Sequence, residues 1–346
     1  MSASGNPETR EELGFGADLS RENVEIAHGG LRGTVAAGDT RTLETVGDGV
    51  GAWRDYLEEK EGQMLVLEDR ESGDNLVVDH EHRWSPSYRT RTYARLKAAE
   101  RHVHAEWGEH VPTTMLTLTA PHQDRETGEY RPFEAVLDDI KDGWNLARRE
   151  VHRETEGVKT EYLAVLEPHK DGYPHLHVLV FGVARPSLGE AVVDRWADRW
   201  VDGASRSAQD VSVRSRGAQR LDHPAAYLMK YLSKTLPRDG GEGETARESM
   251  PSIQGYEEFS ALMWATGRRS YSMSQGLTAA VAASAPETGS ADGDWEFVGT
   301  AHRLEPGLYQ GEEAEELRKW MAGSANQRNP PTQSGGTRPT AIPPPG

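Results

Sequence analysis

Two histidines one residue apart, His175 and His177, lie within the run Tyr173-Pro-His-Leu-His-Val-Leu-Val-Phe-Gly182. On an extended strand alternate side chains share a face, so both imidazoles can grip one divalent cation. Two nitrogen ligands leave room for a carboxylate. Glu167, across a hairpin, is the candidate, and His169 suits the role less because it sits in the turn. Further along stands Tyr227-Leu-Met-Lys-Tyr-Leu-Ser-Lys234. A helix places Tyr227, Lys230, Tyr231 and Lys234 on one stripe, because residues three and four apart are neighbours. A phenol with its usual pKa of about 10 needs help to act as a nucleophile, and a nearby ammonium or cation favours the phenolate. A metal site with paired phenols and ammonium groups is equipment for cutting and rejoining a phosphodiester through tyrosine.

Each feature alone has a plainer reading. His-x-His occurs in half-buried strands and in metal-dependent hydrolases of small molecules, and tyrosines four apart are common in cores. Two observations weigh against those readings. Leu176, Val178 and Val180 alternate with the histidines, while Leu179 and Phe181 extend the histidine face. A strand apolar on both faces is central, and imidazoles buried there need partners. On the second motif, Ala225, Leu228, Met229 and Leu232 form the packing stripe, so the tyrosines and lysines occupy the other side.

The elements that must position these groups follow from pattern. Met64–Leu67 and Asn75–Val78 flank a Ser-Gly-Asp turn and read as a hairpin. Residues 88–107 have helical spacing. Thr113–Thr119 is β-branched and stops at Ala120-Pro121, as a strand does. Phe133–Glu154 is an amphipathic helix with Phe133, Val136, Leu137, Ile140, Trp144 and Ala147 inward. Glu161–Glu167 and the histidine run flank Asp171-Gly172, which predicts an antiparallel hairpin. Helices follow over 187–201, from Asp222-His-Pro224 to before Pro237, and over 256–266; a short strand and helix are expected within 294–321. The predicted fold is α+β, with a central antiparallel sheet of about five strands and flanking helices.

The chain has 346 residues, 56 acidic and 39 basic, for a formal charge of −17. Only eight of the basic residues are lysines, a balance suited to a protein soluble in very salty cytoplasm. Two of those eight fall in the tyrosine motif. With no cysteine, disulfides, zinc ribbons and thiol catalysis are excluded. No long apolar run or signal pattern occurs, so the expected location is cytoplasmic, without membrane contact. Local charge runs against the total: residues 83–101 and 206–234 are net basic, the first interleaved with Trp84, Tyr88 and Tyr93. Such stretches suit a groove that tracks phosphates and stacks bases, although exposed helix faces look alike. Arg214, Arg216, Arg220, Arg268 and Arg269 are the candidate DNA contacts.

Taken together, Leu116-Thr-Leu-Thr119, Pro174-His-Leu-His177 and Tyr227-x-x-Lys-Tyr231-x-x-Lys234 resemble the three motifs of the HUH endonuclease superfamily. Their order is similar to rolling-circle replication initiators, and the paired tyrosines resemble the two-tyrosine type. With the acidic composition, the chain resembles Rep proteins of haloarchaeal plasmids and pleomorphic viruses. The resemblance implies that His175 and His177 bind Mg²⁺ or Mn²⁺ and that Tyr231 attacks first. It further implies that Tyr227 performs the second cleavage and that Lys230 and Lys234 orient DNA or stabilise the phenolate. Thr117 and Thr119 would support the sheet or contact the DNA backbone. The expected substrate is single-stranded or locally melted origin DNA. No phosphate-binding Gly-x-x-x-x-Gly-Lys loop accompanies the motifs, so a host helicase and polymerase would be required. The expected layout is a flexible acidic segment over 1–50, the endonuclease domain over 51–285, a small appendage over 286–321 and a disordered tail over 322–346. A two-tyrosine transposase and a non-catalytic DNA-binding regulator on the same fold are the alternatives.

Overall fold

The computed structural model describes residues 21–214, 254–284 and 295–302. The described chain begins with the hairpin β1 (Leu31–Ala36) and β2 (Asp39–Leu43), then helix α1 (Val46–Lys60). Thr45 caps α1: its hydroxyl accepts from Asp48 N, while the Asp48 carboxylate accepts from Thr45 N. That backbone donor also holds the Asp48 carboxyl below its usual range. Val24, Ile26, Val35, Leu43, Val46 and Ala52 are buried in one core with residues of the main sheet. The expectation of a flexible segment over 1–50 is therefore corrected for residues 21–50. Composition hid this because the buried apolar residues are scattered among Gly, Thr, Asp and Glu. Trp264 sits on Gly33 so closely that a Cβ there would lie 2.5 Å from its ring.

Strands β3 (Gln63–Asp69) and β4 (Asn75–Asp79) form the expected hairpin. The outer neighbour of β3 is β10 (Trp295–His302), antiparallel to it. Residues 295–302 thus extend this sheet instead of standing apart as an appendage. Helix α2 (Pro86–Trp107) follows, with Ser85 accepting from Tyr88 N at its start.

The main sheet has the order β8-β5-β7-β6-β9, with every neighbouring pair antiparallel. Its strands are β5 (Thr113–Thr119), β6 (Glu161–Pro168), β7 (Pro174–Phe181), β8 (Asp210–Arg214) and β9 (Tyr271–Met273). The histidine strand β7 is central, as its two apolar faces require. The architecture is α+β with helices on both faces of five strands, compatible with a Rep-like fold.

On one face Leu116, Leu118, Ala164, Leu176, Val178 and Val180 meet α3 (Phe133–Glu154) and α4 (Pro186–Arg195). The inward stripe of α3 is the one its periodicity predicts, from Phe133 to Ala147 and on to Val151. Pro132 offers no side-chain cap to α3, so Phe133 N and Glu134 N donate to Glu25 O and Ile26 O at 3.1 and 2.8 Å. The N-terminal segment thereby satisfies the helix that backs the sheet. The helix expected over 187–201 ends at Arg195 and continues as a π-helical turn, Trp196–Trp200.

On the other face Met115, Leu163, Val165, Leu179 and Phe181 are covered by Leu96, Ala99 and Val103 of α2 and by Leu277 of α6 (Gln275–Ala283). Each such side chain contributes roughly 1.5–3 kcal/mol when fully buried. Helix α5 (Tyr256–Ala265) leads into β9 and joins α1 through Trp53, Trp84 and Tyr256, whose rings meet edge-on at 5.9 and 6.3 Å. Among the described residues no helix is long and apolar enough to cross a membrane.

Candidate metal centre

Strand register builds the site. Thr117 pairs with His177 and Thr119 with His175 on one flank of β7; on the other, Val165 pairs with His177 and Glu167 with His175. Cross-strand partners share a face, so both histidines, Glu167 and both threonines point to the α2 side. They lie at the end of that face, past the apolar contact of α2 and α6.

Three ligand atoms converge there. His175 Nε2 and His177 Nε2 are 2.8 Å apart, His177 Nε2 and Glu167 Oε2 3.0 Å, and His175 Nε2 and Glu167 Oε2 3.8 Å. Adjacent ligands of an octahedral cation with bonds of about 2.1 Å stand about 3 Å apart. Glu167 is 4 % and His177 7 % exposed, so water cannot readily solvate either. Two imidazole nitrogens and a carboxylate at these spacings fit a divalent cation, and the group could hold one.

The surrounding contacts orient the ligands. Thr117 Oγ1 lies 3.1 Å from His177 Nδ1. With Nε2 turned to a cation, Nδ1 carries the proton and donates to the hydroxyl. Thr119 is held by its backbone: its N donates to Gln209 Oε1 at 2.7 Å, and its O accepts from Trp196 Nε1 at 3.0 Å and Gln209 Nε2 at 3.1 Å. These bonds replace the ladder where β8 falls short, since its pairing with β5 stops at Asp210 and Thr117. A file of rings extends from the ligands: His169 meets His175 edge-on at 4.1 Å and His122 at 5.0 Å. His122 stacks on Tyr173 at 4.5 Å, with its Nδ1 2.8 Å from Asp171 Oδ2. Burial, then the charge of His122, lowers the His169 pKa. Burial works to raise the Asp171 pKa, but the His122 hydrogen bond and charge leave it lowered.

The pairing of Thr117 with an imidazole, and the supports Gln209, Trp196, His122 and Asp171, were not legible in sequence. The one available signal was His122 following directly on the Ala-Pro stop of β5. The candidate contacts divide. Arg268 ion-pairs with Asp138 at 2.7 Å and Glu134 at 3.9 Å on the α3 side, away from the triad. Arg269 is exposed and makes no ion pair among the described residues. Arg214 closes β8 opposite Thr113, at the far end of the sheet. Tyr227, Lys230, Tyr231, Lys234, Arg216 and Arg220 lie outside the described residues. The described chain resumes against the β6–β7 turn: a Cβ on Gly255 would lie 2.3 Å from His169 O and 2.4 Å from Gly172 N.

Relatives share this chain over most of its length. An uncharacterized 36 kDa protein of Halobacterium salinarum is 30 % identical over 292 residues, 78 % of this chain and 88 % of its own. An uncharacterized 36 kDa protein of Halobacterium sp. (strain GN101) is 28 % identical over 317 residues, covering 85 % and 90 %. Uncharacterized protein 1 of Halorubrum pleomorphic virus 1 is 28 % identical over 244 residues, 64 % of this chain and 47 % of the viral one. No solved structure matches. The family model described as "Putative rep protein (DUF1424)" matches residues 8–310, which include the whole sheet and all three candidate ligands, and the chain belongs to that family.

Proposed function

We infer that this protein initiates rolling-circle replication by nicking single-stranded origin DNA through a tyrosine, as a two-tyrosine HUH endonuclease. The observation that carries the reading is the Glu167–His175–His177 cluster on the central strands of the sheet, in a chain of a replication-protein family. Mg²⁺ or Mn²⁺ held there supplies Lewis-acid polarisation of the scissile phosphate. Two imidazoles among three ligands favour Mn²⁺ over the harder, oxygen-seeking Mg²⁺. Thr117 keeps His177 in the ligating tautomer. Tyr231 attacks in line: its phenol oxygen bonds to phosphorus, the bond to the 3′ oxygen breaks, and the phenol proton ends on that oxygen. A 5′-phosphotyrosine and a priming 3′-hydroxyl result. Because the adduct retains the phosphoester, rejoining needs no nucleotide triphosphate. Tyr227 serves the second cleavage, and Lys230 and Lys234 favour the phenolates.

The test is incubation with Mn²⁺ and single-stranded oligonucleotides tiling the cognate replicon, read as a covalent protein–DNA band. Tyr231→Phe, or only its combination with Tyr227→Phe, should abolish the band. DNA binding with no adduct under any metal or salt condition would instead establish a regulator.

A further inference from the structure

We propose that Arg269, Tyr271 and Tyr88 form the cradle for the nucleotides flanking the scissile phosphate, with guanidinium on phosphate and phenol rings under bases. The inference rests on the nickase reading and names how its single-stranded substrate is held.

Register places the cradle. Tyr271 pairs with Val165, which pairs with His177, so all three side chains share the triad's face. Strands lie about 4.8 Å apart, which puts Tyr271 about 10 Å from His177, close to the span of one or two nucleotides. One hydrogen bond reaches beyond the paired residues, Leu166 N donating to Ser270 O at 2.7 Å. Arg268 turns to Asp138 and Glu134 of α3, on the opposite face. Arg269 is exposed two residues before Tyr271 and, like Tyr88 and Tyr271, lies within electrostatic range of Arg83. Tyr88 and Tyr271 both pack, partly exposed, on the rim of the apolar cluster that ends at the triad.

Charge makes the spot unusual. In a chain with 56 acidic residues, two neighbouring guanidiniums here make no ion pair among the described residues. One is Arg269. The other is Arg83, largely buried, which donates to the carbonyls of Met263 and Arg268 and lies 5.5 Å from the Trp84 ring. Arg83 is within electrostatic range of Tyr88, Tyr271 and Arg269. A buried cation with only carbonyl partners projects positive potential onto the adjoining surface. Stacking and close guanidinium contacts are the interactions that survive molar salt, where the Debye length is about 3 Å.

Two probes separate the roles, each longer than the roughly 4–16 nucleotides that one single-strand-binding fold covers. One is an oligothymidylate, and the other is the same backbone carrying only abasic residues. Binding to the full chain with Mn²⁺ is measured by fluorescence anisotropy. Tyr271→Ala should weaken oligothymidylate about tenfold and leave the abasic strand unchanged, since stacking needs a base. Tyr271→Trp should restore binding. Arg269→Ala should weaken both probes by the same factor. A purely structural Tyr271 would change both probes alike, and that result would overturn the proposal, as would wild-type protein that binds neither. A covalent adduct formed normally by variants with unchanged affinities would sink the cradle while leaving the nickase standing. The converse, the predicted affinity pattern with no adduct, would sustain the cradle and remove the nickase.

Discussion

At the scale of single residues, the outcome depends on how three buried ligand atoms are aimed. Thr117→Val removes the hydroxyl beside His177 Nδ1 at nearly constant volume. It should lower Mn²⁺ affinity about 10- to 100-fold, the usual effect of losing a contact that orients a ligand. Isothermal titration calorimetry would read it, with an unchanged circular dichroism spectrum as the control for folding. Glu167→Gln removes the one carboxylate of the candidate metal group among the described residues. At a Mn²⁺ concentration about a hundredfold above the wild-type dissociation constant, the native protein should gain about 2.7 kcal/mol of stability. The Gln variant should lose most of that gain, and a melt with equal metal-induced shifts in both proteins would refute the site. His175, His177 and Glu167 were legible in the sequence because period-two alternation and one hairpin suffice to bring them together. Thr117 was legible as a residue of interest, but its imidazole partner depends on the β5–β7 register, which no local pattern encodes.

At the scale of elements, the ends of strands govern how firmly the site is held. Gly182 terminates β7 with a φ of 87°, and a Cβ there would lie 2.3 Å from Lys159 O and 2.9 Å from the Trp107 ring. Gly182→Ala should therefore destabilise by more than the roughly 1–3 kcal/mol of a left-handed residue alone. Gly157 has a φ of 78° with open space around it, so Gly157→Ala should cost only about 1–2 kcal/mol. Urea denaturation of the two variants makes the comparison, and equal midpoints would refute the packing argument. The strand and helix periodicities of α3, β5, β6 and β7 were all readable, because each buries a regular stripe. The break of α4 at Trp196 was not. Its indole leaves helical packing to donate to Thr119 O, a tertiary demand that local propensity cannot anticipate.

At the scale of the whole molecule, charge and burial set the working conditions. His82 meets the ring of Tyr56 edge-on, and burial first, then the charges of His80 and Lys60, push its pKa down to about 4. The unfolded chain, near 6.5, takes up this proton first as pH falls. Stability is thus full above about pH 6.5 and declines down to about pH 4, by about 3 kcal/mol from this group. His82→Gln should flatten the melting temperature across that window, and an unaltered acid profile would assign the loss to other groups.

Residue types and their spacing determined that the histidine strand is central, that α3 is amphipathic and that Glu167 stands across the hairpin from the histidines. These follow from periodicities of two and 3.6, which any short stretch displays. Only the tertiary structure decided that residues 21–50 belong to the core. There the buried apolar side chains are scattered among Gly, Thr, Asp and Glu, and Glu25 and Ile26 serve through their carbonyls, which every residue possesses. It also decided the fates of Arg268 and Arg269. Adjacent in sequence and identical in chemistry, they part because Arg268 finds Asp138 and Glu134 on α3, whereas Arg269 stays exposed with no ion pair among the described residues.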